Sequence, residues 1–391
     1  LDRNGLRPAR YVVTDDGFIC LSSEIGVVDI PEQKIVRKDR LKPGHMLLVD
    51  LTAGKVWTDE ELKKQIVSEK PYKDWVNRSV TPIERLQTRD AAQTEPEWAK
   101  DKAKLRRKQQ IFGFTYEEWD KMIKPMAVEG ADPVGAMGYD APLAVLSQRP
   151  QLLFHYFKQR FAQVTNPPID AIREAYVTSM EVLLGPEGNL LQPNPQDYKK
   201  IRLKTPILSR EEMDVLTNLP GQEWRAAVLP ITFAAAAGAK ALEQALQDLL
   251  QKAETAVLSG SRLLILTDEG VDETHAAIPS LLAVSAVHHH LIQQGLRNKT
   301  SLVIASGEPR EVHHFAALLG YGANAVYPYL VYASLPELAE DEEVEQTAEE
   351  LMQHYIKAVT KGILKIMSKM GISTVQSYIG AHIFEAVGLC S

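Results

Sequence analysis

Leu263-Leu264-Ile265-Leu266-Thr267-Asp268-Glu269-Gly270 is the stretch whose reading decides the fold. A short apolar run closed by a polar turn with glycine reads as a buried strand. Before it, Gly238 to Ser259 is an amphipathic helix with Leu242, Leu246, Leu249 and Ala253 on one face, and Ala226 to Thr232 is another buried-strand run. After it come a helix over Ile278 to Gln294, a strand Ser301 to Ala305, a helix Arg310 to Leu319 and a strand Ala325 to Tyr327. Alternation at this spacing predicts an α/β fold built on a mostly parallel sheet with right-handed crossovers. Ligand-facing loops in such sheets lie at the strand C-termini, here around Thr232, Thr267-Asp268, Ser306-Gly307-Glu308 and Tyr327-Pro328-Tyr329.

The first fifty residues read differently. Ala9 to Thr14, Phe18 to Ser22 and Met46 to Asp50 are short β-rich runs, with Asp15-Asp16-Gly17 as a tight turn. Thr52-Ala53-Gly54-Lys55 closes a second hairpin ending in Val56-Trp57. From 58 to about 132 the chain is mostly helical and polar, with Asp59-Glu60-Glu61 in a first helical turn and Thr115 as a cap. Trp75 and Trp98 read as packing anchors. Residues 192 to 210 form a proline-marked connection, and Pro206 to Glu212 a short strand and a capped helix.

Two breaks stand out between these regions. Gln163-Val164-Thr165-Asn166-Pro167-Pro168-Ile169-Asp170 lies between periodic apolar segments, Leu152 to Phe161 and Ile172 to Leu184, which read as helical. Its paired prolines fix φ, remove two donors and push Asn166 out of the α region, and Asp170 can cap the second of those helices. Taken alone this is a helix stop, although a rigid polar Thr-Asn pair is also what a site needs. Gly130 to Pro142, GADPVGAMGYDAP, is glycine- and proline-rich and exposes or pockets Met137. By itself it reads as a loop. The two breaks flank one helical segment and could converge at the same end of it.

Composition excludes several functions. A net charge of −7 argues against nucleic-acid binding, and the basic cluster Lys102 to Lys108 reads as a solvated helix face. The only cysteines are Cys20 and Cys390, and no CxxC pair exists to build a zinc site or an iron–sulfur cluster. Low cysteine use suits a reducing cytoplasm. No apolar run is long enough to span a bilayer. His288-His289-His290 cannot all face one ion, because consecutive helical residues point about 100° apart. His313-His314 lacks metal-ligand spacing, and no phosphate-binding fingerprint occurs. No metal site is expected. The acidic run Pro336 to Glu350 reads as solvated surface, and Lys357, Lys361, Lys365 and Lys369 as a basic stripe. The chain opens Leu-Asp-Arg-Asn-Gly with neither initiator Met nor signal pattern, and reads as a piece of something longer.

Several segments resemble glutamate synthase. LDRNGLRPARY, SSEIGVVD and LKPGHMLLVDL are similar to the late part of its glutaminase domain, a glutamine amidotransferase with an N-terminal cysteine nucleophile. The central domain of the family is resembled by a pair of the form GxMGDDxPLAVLS and FAQVTNPPIDxIRE. It is resembled also by LLGPEGNLL, PSLLAVxAVHHHLI, SGExREVHHF, GYGAxAVxPYL and the ending KMGISTVQSYIGAHIFEAVGL. Tyr139 stands where the family usually has Asp, Ala141 where it has Thr, and His382 where Gln is common. The resemblance runs through nearly the whole chain, weakest at about 88 to 130.

The resemblance implies three parts: residues 1–57 as the end of the glutaminase domain, 58–132 as a helical connector, and 133–391 as the central domain leading toward the FMN domain. It implies an enzyme making L-glutamate from L-glutamine and 2-oxoglutarate, with FMN and an iron–sulfur cluster in the full-length protein and no cofactor in this segment. The nucleophile and its Asn-Gly oxyanion pair lie earlier in the family's domain, so no catalytic residue is expected here and the fragment alone should be inactive. Met137, Thr165, Asn166 and Ile169 are the residues the resemblance places along an ammonia tunnel. Partners would be the rest of the chain and either ferredoxin or a small NADPH-oxidising subunit. The compartment would be the cytoplasm, or a plastid or cyanobacterial cytosol for a ferredoxin-dependent form. Two rival readings stay open: a purely structural scaffold, and a stand-alone α/β enzyme using Asp268, Glu308 and His313.

Overall fold

The computed structural model describes residues 7–86, 96–133, 139, 141–160, 167–189, 191–195, 199–219 and 224–389. They fall into two compact units, Leu1–Arg78 and Ser79–Ser391.

In the first unit β1 (Arg10–Thr14) pairs antiparallel with β2 (Ile19–Ser22) across the Asp15-Asp16-Gly17 turn. Gly17 takes φ +85° there, a conformation open to glycine, and Thr14 Oγ1 donates to Asp16 Oδ1 at 2.5 Å to close the turn. The other edge of β1 carries β3 (Ile35–Arg40), a strand absent from the sequence reading. Every residue of β3 after Ile35 is exposed, so no hydrophobic alternation announces it. Backbone pairing with β1 is what defines it. β4 (Leu48–Asp50) and β5 (Lys55–Trp57) form the expected second hairpin. Helix α1 (Asp59–Ser68) starts at Thr58 with a reciprocal cap, Glu61 N donating to Thr58 Oγ1 and Thr58 N to Glu61 Oε2, and α2 (Tyr72–Ser79) comes after it.

The second unit begins with β6 (Val80–Pro82), α3 (Glu97–Lys100) and α4 (Lys102–Ile111). Helix α5 (Tyr116–Glu118), capped by Thr115, continues through a π-helical stretch at Trp119–Ile123 into α6 (Lys124–Glu129). After β7 (Phe157–Gln159) and α7 (Glu174–Val177), β8 (Val182–Leu184) and β9 (Lys200–Leu203) join β6 in a small sheet of order β6-β9-β8. Helix α8 (Arg210–Thr217) is capped by Ser209, and the isolated bridge between Ile207 and Val326 supplies the short extended piece expected before it.

The central alternation is present as read. It comprises β10 (Ala226–Pro230), β11 (Thr232–Ala234), α9 (Gly238–Leu258), β12 (Leu263–Thr267), β13 (His275–Ala277) and α10 (Ser280–Gln293). It continues with β14 (Ser301–Ala305), α11 (Val312–Gly320) and β15 (Ala325–Tyr327). The sheet runs β10-β12-β14-β15, every pair parallel and in sequence order. Helices α12 (Tyr329–Ala339), α13 (Ala348–Met370) and α14 (Val375–Tyr378) then lead to β16 (Phe384–Ala386), which pairs with β7. Thr347 and Glu350 cap the start of α13, and Gly371 ends it in the left-handed region at φ +76°. Its apolar face, including Tyr355, Val359, Ile363 and Met367, is buried in one core with α11 and α12.

Three expectations are corrected. The segments beside the Thr-Asn-Pro-Pro break are not long helices: Leu153–Tyr156 is a 3-10 turn leading into β7, and Ile172 to Leu184 divides into α7 and β8. Ile172 is 85 % exposed and Tyr176 73 %, so the apolar period there buries nothing, while Val182 and Leu184 on alternate positions fill the core as a strand. Asp170 still accepts from Ile172 N and Arg173 N, closing a turn rather than capping a helix directly. The basic cluster of α4 is solvated at Lys102 and Arg106, which pair at the surface with Glu340 and Glu337, but its last residue, Lys108, is buried. Those acids lie in the Pro336 to Glu350 run, whose first part completes α12 with Pro336 inside the helix.

Candidate functional site

The C-terminal ends of the parallel strands meet in a buried polar network. Asp268, just past β12, is wholly buried and its carboxylate accepts from Ser306 Oγ at 2.5 Å and Gly307 N at 3.0 Å. Desolvation pushes its pKa up to about 7, with the nearby Glu308 charge adding to the rise. Glu308 in turn accepts from Ser280 N at 2.8 Å and Ser280 Oγ at 2.5 Å, tying the start of α10 to the loop after β14. Lys108 of α4 reaches in to donate to Glu269 O at 2.6 Å, its Nζ 4.5 Å from the Trp98 ring, and burial lowers its pKa. These groups satisfy one another. A cavity of about 260 Å3 lies beside them, on the sheet face bearing Val228, Ile265 and Tyr327, lined also by Arg210, Asp214, Trp98 and Glu269. Burial raises the pKa of both Asp214 and Glu269, and Asp214 adds like charge to Glu269.

Arg310 is the cross-brace of this end. Only 2 % exposed, it donates through Nε to Glu118 at 2.8 Å, to Phe112 O and Gly113 O at 3.1 Å, and to Glu308 O at 3.3 Å. Its guanidinium lies 4.5 Å from the Phe114 ring centroid, and its carbonyl accepts from Tyr355 Oη at 2.9 Å. One side chain thus joins the α4–α5 turn, the loop after β14 and, through its backbone, α13.

A second cluster of rings lies at the start of α11. Tyr139 stacks on His155 at 4.9 Å with an 8° interplanar angle and on His313 at 5.2 Å with 23°. Lys158 Nζ is 4.1 Å from the Tyr139 centroid and donates to Ala141 O at 2.6 Å. Phe154 stacks on His314 at 4.5 Å, and Phe154 O meets His313 Nε2 at 3.0 Å. Burial drives the pKa of His313 down to about 4 and that of His314 well below its ordinary value, so both rings are neutral. His313 Nδ1 and His314 Nε2 have no hydrogen-bond partner among the described residues. The other histidine run diverges as helical spacing requires. His288 accepts from Arg297 Nε, His289 Nδ1 meets Ser285 O, and His290 meets Glu254. Among the described residues, no three His, Cys, Asp or Glu side chains are grouped to hold a metal ion.

Of the residues expected along a tunnel, Met137, Thr165 and Asn166 lie outside the described residues. Ile169 is half-buried, its N–H donating to Ser368 O at 3.3 Å, while Pro168 Cβ stands 3.0 Å from where a Cβ on Gly371 would sit. The described end of that break therefore rests on the C-terminal end of α13. The described end of the glycine-rich break, Tyr139 and Ala141, rests on His155, Lys158 and α11. The rival triad of Asp268, Glu308 and His313 is divided: the first two share the strand-end network, whereas His313 bonds to Phe154 O. Sequence reading missed Arg310 and the Tyr139 stack, although SGExREVHHF and the Tyr at 139 carried the signal.

The residues do not fit the cofactors implied for a full-length enzyme. An iron–sulfur cluster needs more thiolates than Cys20 and Cys390 supply. The ends of β12 and β14 present the Asp268 and Glu308 carboxylates, which do not suit a phosphate group.

Among the described residues no helix is long and apolar enough to cross a membrane. Residues 107–390 match the family described as glutamate synthase central domain, and residues 1–75 match glutamine amidotransferases class-II. The chain is 49 % identical to the glutamate synthase [NADPH] large chain of Bacillus subtilis, over all of this chain and 25 % of that one. It is 43 % identical to ferredoxin-dependent glutamate synthase 2 of Synechocystis, again over all of this chain and 25 % of that one. For glutamate synthase [NADH] of Schizosaccharomyces pombe the identity is 42 %, over all of this chain and 19 % of that one. The chain spans about a quarter or less of the length of these relatives. With its strand–helix core inside the matched span, the chain belongs to the glutamate synthase family.

Proposed function

We propose that this chain is the connecting part of a glutamate synthase, an enzyme that makes L-glutamate from L-glutamine and 2-oxoglutarate. In this reading residues 1–57 close the glutaminase domain, 58–132 connect, and 133–391 form the central domain leading to an FMN site. The observation that carries it is the match of one chain to both the amidotransferase and the central-domain families, with relatives of that name along its whole length. Ammonia released at one site must reach another without meeting water, since ammonium is no nucleophile and a dry path preserves the reactive form. Met137 and Ile169 would supply apolar wall, and Thr165 and Asn166 hydrogen bonds. FMN, the iron–sulfur cluster and the electron donor, ferredoxin or an NADPH-oxidising subunit, belong to the rest of the assembly. The setting is the cytoplasm, or the plastid or cyanobacterial cytosol for a ferredoxin-dependent form.

The test is Asn166→Leu in the intact enzyme, with glutamine hydrolysis and glutamate formation measured together. The reading expects hydrolysis to outrun synthesis. Matched rates, with only stability altered, would leave the segment as a structural scaffold.

A further inference from the structure

We propose that the cavity between α8 and the parallel sheet is a binding site for a small organic ammonium, a primary amine or a free amino acid with an apolar body, whose ammonium group is held by Asp214 and Glu269. The inference does not depend on the proposed ammonia path.

The sheet supplies the floor. Val228 of β10 is in register with Ile265 of β12, and one pleat further on Thr267, Ala305 and Tyr327 stand side by side on β12, β14 and β15. All five line the same space of about 260 Å3. Parallel sheets are normally covered on both faces, yet Val228 is 47 % exposed here. The roof is α8, where Arg210, Met213, Asp214 and Thr217 line the space at i, i+3, i+4 and i+7, the spacing of one helix face. A helix face turned toward a sheet is ordinarily apolar. Three of these four residues are polar, while Val215 and Leu216, at other positions of the helix, are buried. Packing gives no reason for that polarity, whereas a charged guest between helix and sheet does. Trp98 and Tyr329 close one side, their rings edge to face at 5.8 Å.

The charges select the guest. Among the described residues neither the Asp214 nor the Glu269 carboxylate makes a hydrogen bond or an ion pair. Burial raises the pKa of both. Glu211 adds like charge at Asp214, which Arg210 partly offsets. At Glu269 the Lys108 charge opposes the rise, but Lys108 Nζ donates to the Glu269 carbonyl and not to its carboxylate. Two desolvated acids facing one space are stabilised by a cation placed at both, and the ring walls of Trp98 and Tyr327 favour the same sign of charge. The apolar floor of Val228, Ile265 and Ala305 suits a short hydrocarbon body. Arg210 leaves room in this scheme for a carboxylate on the same ligand, which is what separates an amino acid from a simple amine.

The test is isothermal titration calorimetry on the intact enzyme with isoamylamine, L-leucine and isocaproate, which share one branched skeleton and differ in the charged groups they keep. Isoamylamine and L-leucine should bind, and isocaproate, lacking the ammonium, should not. Asp214→Asn together with Glu269→Gln preserves shape and should weaken binding at least about tenfold. Val228→Phe fills the space from a half-exposed position, leaves both acids in place and should cause a similar loss. Far-UV circular dichroism and urea midpoints matching the parent show that the variants are folded. Tighter binding of L-leucine than of isoamylamine identifies an amino-acid site, and the reverse order an amine site. No heat from either ammonium compound up to millimolar concentration would overturn the assignment. So would parental affinity in either folded variant, or isocaproate binding as tightly as isoamylamine. Because binding and not turnover is read, these failures leave the proposed function untouched.

Discussion

Replacing Arg310 is the severest single test of how the second unit is held together. Its guanidinium makes four hydrogen bonds, to Glu118 Oε1, Phe112 O, Gly113 O and Glu308 O, from a side chain only 2 % exposed. Arg310→Met keeps most of the apolar stem but removes every donor. Glu118, whose side chain is 16 % exposed, is then a nearly buried carboxylate without its cation, and three carbonyls lose their partner. Breaking one side of a buried charge pair costs about 3–5 kcal/mol, and little of that can be recovered by water at this depth. Arg310→Lys should cost about half as much, since an ammonium can satisfy Glu118 or the carbonyls but cannot fork between them. Adding Glu118→Gln to the Met variant removes the stranded charge and should return about 1–2 kcal/mol. The assay is urea unfolding followed by far-UV circular dichroism. With m of about 3 kcal/mol/M, R310M should lower the midpoint of the unit by about 1 M or more. A loss below about 1 kcal/mol in R310M, or a Glu118→Gln change that deepens the defect, would refute the cross-brace.

Two further outcomes are expected of the same core. The raised pKa of Asp268, about 7 in the folded chain against an ordinary carboxylate value when unfolded, means the native state binds the extra proton between those values. Its stabilising contribution is full below the unfolded value and is lost as pH rises through about 7, with Glu311, also pushed up to about 7, acting in the same direction. Urea midpoints from pH 5 to 8 should therefore fall less steeply in Asp268→Asn than in the parent. Gly362 of α13 leaves no space for a methyl: an added Cβ would stand 2.5 Å from Val312 Cγ2 and 2.7 Å from Cγ1. Gly362→Ala should destabilise by about 1–3 kcal/mol even though alanine favours helix, and Val312→Ala in the same chain should restore part of it, as thermal melts will read.

What was legible in the sequence tracks how local the cause is. LLILT and SLVIA declare buried strands because each is apolar on both faces, and the helices between them carry their stripes in plain view. Thr115 and Ser209 announce helix starts because a capping box is written in four consecutive residues. β3 was not legible, because its stability comes from β1 and none of its residues after Ile35 is buried. Ile172 to Leu184 misled for the opposite reason. It has an apolar period, but the Ser179 bridge to Thr374 and the pairing of β8 with β9 override it. Arg310 could be quoted from its motif but not understood, since Gly113 and Glu118 are 197 and 192 residues away along the chain. Of the four residues expected at the site only Ile169 lies among the described ones, and its anchor, Ser368, is likewise remote in sequence.

The strand-end network bears on where a small molecule can be handled in this unit. Open parallel sheets usually offer their strand C-termini to a ligand. Here that end is filled from within on one side, Asp268 by Ser306 and Gly307, Glu308 by Ser280, and Lys108 by Glu269 and Val271, while Thr267, Ala305 and Tyr327 line the cavity on the other. Opening it would strand buried carboxylates, each desolvated enough for its pKa to rise, which is a cost of several kcal/mol. The adjoining cavity is lined by Asp214 and Glu269 together with Arg210, so its lining carries charges of both signs. The bonded part of this end makes the sheet a rigid frame, and under the proposed ammonia path the groups meeting the neutral molecule would be at its flank. The Tyr139 end of one break and the Ile169 end of the other are both fixed there to helices of the frame, to α11 and α13 respectively. Under that proposal rigidity of the frame would be a functional requirement, because a wall residue is only as well placed as the helix its loop is tied to. The second unit thus combines a polar interior that locks α4, α11 and α13 together with ring and proline contacts, at Tyr139 and Pro168, that tie the described ends of the two breaks to α11 and α13.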